Sequence, residues 1–263
     1  MKQRTITAIV GALIFLPLII LGGWPFKIFV YLIASIGILE LIRMKKISRY
    51  SIPSILTLLL MWALMFPFGQ IFGIEEDVVT KSELTLVAVL LLLSYTVLVK
   101  NRFTFDDAGF LLISAIYVGM GFHYLMETRD SGLEYIFYAL FVIWATDTGA
   151  YLFGRSFGKH KLWPKISPKK TVEGAVGGIV LACIVALAFQ LFYPVHSSTI
   201  LVLIVTVVVS FFGQIGDLVE SAFKRHYAVK DSGSILPGHG GVLDRFDSLI
   251  FILPVLHFIN FIS

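Results

Sequence analysis

The stretch EGAVGGIVLACIVALAFQLFY, residues 173–193, is an apolar run whose one charged residue, Glu173, stands at its start. An α-helix crosses the hydrocarbon core of a bilayer with about 20 mostly apolar residues. The run lacks the alternation of a membrane barrel strand, and an open sheet would leave backbone polar groups unsatisfied in lipid. We therefore predict a membrane-spanning helix here.

Runs of the same kind follow one another along the chain. Of its 263 residues, 57% are hydrophobic and 14% are charged, whereas soluble globular domains carry about 25% charged residues. The sequence predicts an all-α, polytopic integral membrane protein with about nine transmembrane helices. These segments are residues 5–22, 25–42, 51–68, 83–99, 108–126, 134–153, 173–193, 198–219 and 246–262. The first run is not followed by an A-x-A-like cleavage site, so we expect a retained helix.

Basic residues predict the orientation. With the N-terminus in the cytoplasm, 18 of the 21 Lys and Arg residues fall on the inner side, and only Lys27, Lys81 and Arg129 do not. This bias follows the positive-inside rule and predicts a multi-pass protein of the cell membrane. The net charge of +4 is then a one-sided basic surface that suits an anionic leaflet or substrate, although topology alone explains most of it.

Acidic residues gather at the predicted inner ends of the last four helices. We divide the chain functionally into residues 1–130, five helices with little polar content, and residues 131–263, four helices that carry the chemistry. An ionisable group at the membrane margin is costly unless it is paired or used, so the cluster is a candidate site. Its members are Asp147, Glu173, Asp217, Glu220, Asp244 and Asp247.

Helical spacing arranges part of this cluster. Asp217, Glu220, Ser221 and Lys224 share one face by the i, i+3, i+4, i+7 rule, and Asp244 and Asp247 share another. By contrast, Asp106 and Asp107 stand alone before an apolar run, which favours the N-cap and first turn of a helix.

Carboxylates without cysteine or histidine partners favour a hard cation, and Mg²⁺ is held in this way when it also contacts substrate phosphates. The lone Cys183 excludes a cysteine metal cluster, and no H-E-x-x-H spacing supports a zinc hydrolase. Basic residues exceed what the carboxylates require, which indicates a phosphate-rich anion. They are Arg155, Lys159, Lys161, Lys165, Lys169, Lys170, Lys224, Arg225, Lys230 and Arg245.

Glycines admit two interpretations. The GHGG motif at residues 238–241 could bring backbone N–H groups close to a phosphate, or could simply make the loop flexible. It is not a Walker loop. For Gly174, Gly177 and Gly178 we predict close helix packing.

The segment SAFKRHYAVKDSGSILPGHGGVLDRFD, residues 221–247, resembles the signature of the phosphatidate cytidylyltransferases. GQIGDLVES at 213–221 and SPKKTVEGAVGG at 167–178 are similar to further motifs of that family. The resemblance is specific over about residues 140–250. It implies transfer of a cytidylyl group from CTP to phosphatidic acid, giving CDP-diacylglycerol and pyrophosphate with Mg²⁺ as cofactor.

The resemblance also implies roles for residues. Metal would be bound by Asp217 and Asp244, with Asp147 and Asp247 as second candidates. Phosphates would be held by Lys224, Arg225, Lys230 and Arg245, and the catalytic site would be shaped by Ser221, Asp231 and His239. Substrate would be bound by Asp147, Lys169, Lys170, Glu173, Gly240 and Gly241. We expect CTP, phosphatidic acid and the bilayer as partners and no nucleic acid. A second cation and a homodimer remain open.

Two other classes make different predictions. A CDP-alcohol phosphatidyltransferase would carry a D-G-x2-A-R motif, which is not found. A transporter would place charges near the bilayer midplane on interrupted helices, whereas here they collect at one end.

Overall fold

The structure, a computed structural model, describes residues 2–68, 77–238 and 240–262. These residues contain nine helices with defined bounds and one pair of strands. The helices are α1 Lys2–Leu21, α2 Gly23–Met44, α3 Ile52–Met65, α4 Asp77–Leu98, α5 Phe105–Ser131, α6 Leu133–Phe157, α7 Val172–Phe192, α8 Thr199–His226 and α9 Leu243–Phe258. The strands, β1 Lys161–Trp163 and β2 Ser167–Thr171, lie between α6 and α7.

Within the described residues, six helices are long and apolar enough to cross a membrane: α2, residues 80–98 of α4, and α5 to α8. The apolar part of α1, residues 9–21, and α3 are shorter apolar helices, and α9 has 16 residues. The predicted class, a helical membrane protein, is confirmed. The predicted count of about nine spans is not reached by these length and composition criteria.

The small antiparallel sheet is a departure from the all-α expectation. Lys161 pairs with Thr171 and Trp163 with Ser167. The segment is polar, so hydropathy carries no signal for it. Strand edges are costly only where water cannot reach them, which explains why a hairpin is compatible with this connection.

Two compact units make up the chain. One contains Met1–Phe26 and Tyr124–Ser263, and the other contains Lys27–His123. The first unit holds α1, the strands and α6 to α9. The functional division at about residue 130 remains a prediction, whereas the compact units place the first 26 residues with the C-terminal part.

Glycines allow α6 and α7 to approach closely. A Cβ atom on Gly149 would lie 2.8 Å from the Gly177 carbonyl oxygen and 2.9 Å from Gly178 Cα. One on Gly174 would lie 2.7 Å from the Ala150 carbonyl oxygen. Small residues permit such backbone contact between membrane helices. The prediction that Gly174, Gly177 and Gly178 serve packing is confirmed.

Contacts at its two ends place α1 in the first unit. Near its start, the Thr7 hydroxyl donates a hydrogen bond to the Pro237 carbonyl at 2.9 Å. At its end, the Arg129 guanidinium donates to the carbonyls of Ile19 and Ile20. Carbonyls in the last turn of a helix lack intrahelical partners, so Arg129 caps α1. This contact gives a structural role to one of the three basic residues that depart from the predicted charge bias.

The second unit confirms the helix-start prediction. Asp107 lies in the first turn of α5. Its Oδ2 accepts hydrogen bonds from the backbone N–H and the hydroxyl of Thr104 at 3.0 and 2.9 Å, and its Oδ1 pairs with Lys45 at 3.2 Å.

Candidate active site

Two connections meet at one end of the first unit. The basic hairpin, residues 159–171, joins α6 to α7, and the signature loop, residues 227–242, joins α8 to α9. Lys170 of the hairpin pairs with Asp217 of α8 at 2.7 Å. Arg225 Nε, also on α8, donates to the carbonyl of Ile166 at 3.2 Å. The predicted gathering of four helix ends is therefore present.

Three of the four carboxylates predicted to bind metal converge here from three helices. Asp217 on α8 interacts electrostatically with Asp147 on α6 and with Asp247 on α9. Lys170 and Arg245 supply opposite charge to Asp147. The structure thus brings together residues that are 100 positions apart in sequence.

Close packing of α8 on α9 makes this convergence possible. A Cβ atom on Gly216 would lie 2.8 Å from the Asp247 carbonyl oxygen. The Ser248 hydroxyl also donates to the Gly213 carbonyl at 3.0 Å. Asp217 follows Gly216, and Asp247 precedes Ser248, so both carboxylates stand beside residues that hold the two backbones together.

The fourth carboxylate, Asp244, is fixed by the signature loop. Its Oδ2 accepts hydrogen bonds from the Ser232 N–H, the Ser232 hydroxyl and the Gly241 N–H, each at 2.8 Å. Its Oδ1 pairs with Lys224 at 2.6 Å. Gly240 has a φ of +84°, which favours glycine, and a Cβ there would collide with Asp244 Oδ2. The loop therefore sets the direction of this carboxylate.

Glu220 belongs to the same network. Only 2% of it is exposed, and it pairs with Lys224, one helical turn further along α8. Lys224 thus lies between Glu220 and Asp244. A buried charge without a partner is strongly destabilising, so each member of the triad supports the others. Helical spacing predicts Glu220 on this face without giving it a role, although its i, i+4 spacing to Lys224 is a signal for the ion pair.

The glycines of the signature loop bond within the loop and to the start of α9. Gly241 N–H donates to Asp244, as described, and the Gly240 carbonyl accepts from Leu236 N–H at 3.0 Å. His239 lies outside the described residues. Roles for Gly240, Gly241 and His239 toward a phosphate remain predictions.

Other predicted residues lie around this network. The Ser221 hydroxyl donates to Asp217 Oδ1 at 3.3 Å. Glu173 accepts from the backbone N–H of Lys159 at 3.1 Å and from His160 Nδ1 at 2.6 Å, so it holds the base of the basic hairpin. Side chains on the exposed surface are those of Lys169, Arg225, Lys230, Asp231 and Arg245.

The donor chemistry fits a magnesium ion. Among residues 2–68, 77–238 and 240–262, no three His, Cys, Asp or Glu side chains form a group that could hold a metal ion. Magnesium, however, is commonly bound by one or two carboxylates together with substrate phosphates and water. Asp244 has the hydrogen-bonded second oxygen typical of a metal ligand. Ammonium groups already neutralise Asp217 and Asp244, which shows that both attract cations.

Fold and site together define a helical membrane protein with a charged, polar centre at one end of a helical unit. The profile of the cytidylyltransferase family matches residues 2–263. The chain belongs to this family, as the resemblance predicted.

Curated relatives agree over nearly the full length. A phosphatidate cytidylyltransferase of Bacillus subtilis is 55% identical over 262 residues, which cover 98% of this chain and 97% of the relative. The chain is also similar to phosphatidate cytidylyltransferases of Staphylococcus haemolyticus, 53% identical, and Staphylococcus aureus, 50% identical, with 98% of both chains covered in each case.

Proposed function

We propose that the chain transfers a cytidylyl group from CTP to phosphatidic acid. The observation that carries this proposal is the identity of 50–55% to phosphatidate cytidylyltransferases over nearly the whole chain. The ion network of α8, the signature loop and α9 supports it, because the network is built from the motif residues and joins carboxylates with cations at one end of the unit.

The reaction is a substitution at phosphorus. A phosphate oxygen of phosphatidic acid attacks the α-phosphorus of CTP, a new P–O bond forms, and the bond to the bridging oxygen of the β-phosphate breaks. CDP-diacylglycerol and pyrophosphate result. Catalysis of such transfers consists mainly of positioning and charge stabilisation. Lys224, Arg225, Lys230 and Arg245 would bind the phosphates, and the network around Asp244 would hold Lys224 in place.

Asp217 and Asp244 would hold Mg²⁺, with Asp147 and Asp247 nearby. When bound, Mg²⁺ would neutralise charge on the CTP phosphates. Lys170 rests on Asp217 and Lys224 on Asp244. Each lysine therefore also stands close enough to a metal-binding carboxylate to contact a phosphate held there.

No general base is required. The second ionisation of a phosphate monoester lies at about pH 6, so the nucleophile is largely an anion at neutral pH. As the pH falls through this value, the nucleophile becomes protonated and the rate should fall. We expect the same acidic limb in wild type and His239→Ala when the rate is measured against pH. A limb that vanishes in the variant would contradict this mechanism.

Product analysis tests the function. Purified protein is incubated with Mg²⁺, labelled CTP and phosphatidic acid, and CDP-diacylglycerol and pyrophosphate are quantified. We expect both products in equal amounts with CTP or dCTP and none with ATP. Equal turnover of ATP would reject the cytidylyl specificity, and absence of product with CTP would reject the function.

We also propose a topology with about nine membrane segments, in which the shorter helices α1, α3 and α9 complete the set and the N-terminus and site face the cytoplasm. Support comes from the distribution of basic residues. Accessibility labels should find residues 43–49, 154–171 and 221–245 inside. Labelling the last two loops from opposite sides would contradict the proposed site. A homodimer remains a prediction that sedimentation in detergent can test.

A further inference from the structure

The basic hairpin combines one sign of charge with an exposed tryptophan. Residues 159–171 contain five lysines and no Asp or Glu. Trp163 in β1 is 54% exposed. The side chains of Lys159, Lys161 and Lys165 are exposed as well. An exposed tryptophan beside several cations is typical of segments at a membrane interface, where aromatic rings and basic side chains lie together.

The fold holds the hairpin firmly while leaving these side chains outside. Glu173 binds the N–H groups of Lys159 and His160 at its base. At its turn the Ile166 carbonyl accepts from Arg225, and near its end Lys170 pairs with Asp217. These contacts hold the backbone of the hairpin, and the exposed side chains of Lys159, Lys161, Trp163 and Lys165 take no part in them.

Membrane helices on both sides keep this surface near the lipid. The hairpin follows α6 and leads directly into α7, both of which qualify as spans. A strand rises about 3.3 Å per residue, so strands of three and five residues extend at most about 17 Å from the helix ends. The headgroup layers of a bilayer begin where the spans end. The hairpin thus lies in or beside a headgroup layer.

Neighbouring aromatic residues point to the same environment. Tyr151 and Phe157, in the last turns of α6, are 63% and 64% exposed. Tryptophan and tyrosine concentrate at membrane interfaces because their rings are apolar and their polar groups remain wet. Lysines close to the surface are attracted by anionic lipid headgroups.

We propose that the basic hairpin is an interfacial anchor that binds an anionic lipid surface, with Trp163 in the headgroup layer and Lys159, Lys161 and Lys165 on lipid phosphates. This role does not depend on the proposed catalytic function. It gives the hairpin a partner of its own, the leaflet that surrounds the site.

Fluorescence of Trp163 tests the anchor. A parent protein carrying Trp24→Phe, Trp62→Phe and Trp144→Phe retains Trp163 alone among the four tryptophans. It is placed in nanodiscs of phosphatidylcholine, with or without phosphatidylglycerol, and quenched by lipids brominated close to the headgroup. We expect quenching in the anionic membrane to be about twofold or more stronger than in the neutral one.

Two triple variants that remove the same charge show whether the hairpin lysines cause the dependence on anionic lipid. Lys159→Gln, Lys161→Gln and Lys165→Gln together should abolish the dependence on anionic lipid. Lys46→Gln, Lys100→Gln and Arg102→Gln, which remove the same charge from exposed positions of the other unit, should leave it intact.

Three results would overturn the proposal. Trp163 could escape quenching in both membranes, or be quenched equally in both. It could also respond to Mg²⁺ and CTP in the neutral membrane instead of to anionic lipid, which would assign the hairpin to the nucleotide. Turnover of CTP is measured separately, so a protein without the proposed catalytic function would still give the same fluorescence test of the anchor.

Discussion

The basic hairpin and the ion network of Glu220, Lys224 and Asp244 lie at the same end of the first unit, yet they use charge differently. In the hairpin, backbone groups form most of the bonds, and Lys159, Lys161 and Lys165 remain exposed. In the ion network, charged side chains of α8 and α9 are bonded to one another, as in the contact of Lys224 with Asp244. The bonded charges fix the positions of the side chains in the network, whereas the exposed lysines of the hairpin are available to a lipid surface.

The largest loss of turnover is expected for variants of the two carboxylates that are proposed to bind the metal. Asp217→Asn and Asp244→Asn keep the shape but remove a negative charge. Each should lower turnover on the order of 10²-fold, about 2.7 kcal/mol, and raise the Mg²⁺ needed for half activity. Rates over a series of Mg²⁺ concentrations measure both effects.

The double variant sharpens this test. If both carboxylates hold one ion, losing the first already impairs the site, so the double loss should be much smaller than the sum of the single losses. Strictly additive losses would separate Asp217 from Asp244 and contradict a shared ion.

A smaller effect is expected for the buried partner of Lys224. Glu220→Gln removes one of the two charges that hold this ammonium group, so we expect turnover to fall roughly tenfold, about 1.4 kcal/mol, with the Mg²⁺ requirement unchanged. Glu83→Gln, a change at an exposed position of α4, is the control and should be neutral. A raised Mg²⁺ requirement in Glu220→Gln would show that Glu220 acts on the metal and not through Lys224.

A substitution that strains the backbone of the signature loop should lower turnover by a smaller factor. Gly240→Ala places a Cβ against Asp244 and strains a positive φ, and we expect a roughly fivefold loss of turnover, about 1 kcal/mol. Gly23→Ala is matched, since its φ is +56° and no atom of the described residues lies within 4 Å of the added Cβ. Both variants should lose thermal stability, but only Gly240→Ala should lose turnover. Equal turnover losses would make backbone strain, not the contact with Asp244, the cause.

The smallest effect is expected in the hairpin. Lys165→Gln in detergent should change turnover by less than about twofold, because exposed substitutions rarely exceed 0.5 kcal/mol in either direction. Lys224→Gln, assayed in parallel, should cost far more. Comparable losses in the two variants would remove the distinction between the two regions.

Hydropathy predicted the helices in their order but not their limits. The fifth segment was predicted as residues 108–126, and α5 extends over Phe105–Ser131. Its ends carry Asp107 and Arg129, which a hydropathy window assigns to loops although they complete helix ends. The hairpin was missed for a related reason, since polar residues such as Lys161 and Lys169 give no periodic apolar signal.

The residue types of the site and the helix faces that carry them were predictable from the sequence, whereas the ion pairs between helices were not. Spacing along α8 placed Asp217 and Lys224 on one face. That Lys224 lies between Glu220 and Asp244 depends on the signature loop folding back through Ser232 and Gly241, and no local spacing encodes that return. The roles of these residues in binding phosphate or metal remain predictions.

The first unit is built from two separate parts of the sequence, and this affects how it forms during synthesis. Residues 1–26 pack with residues 124–263, so the 97 residues from 27 to 123 must be made between the two parts. At about 5–20 residues per second, a ribosome needs roughly 5–20 s for this stretch. During that time α1 lacks the cap that Arg129 later provides for its last turn. Helix α1 therefore waits for partners that are made only after residue 123.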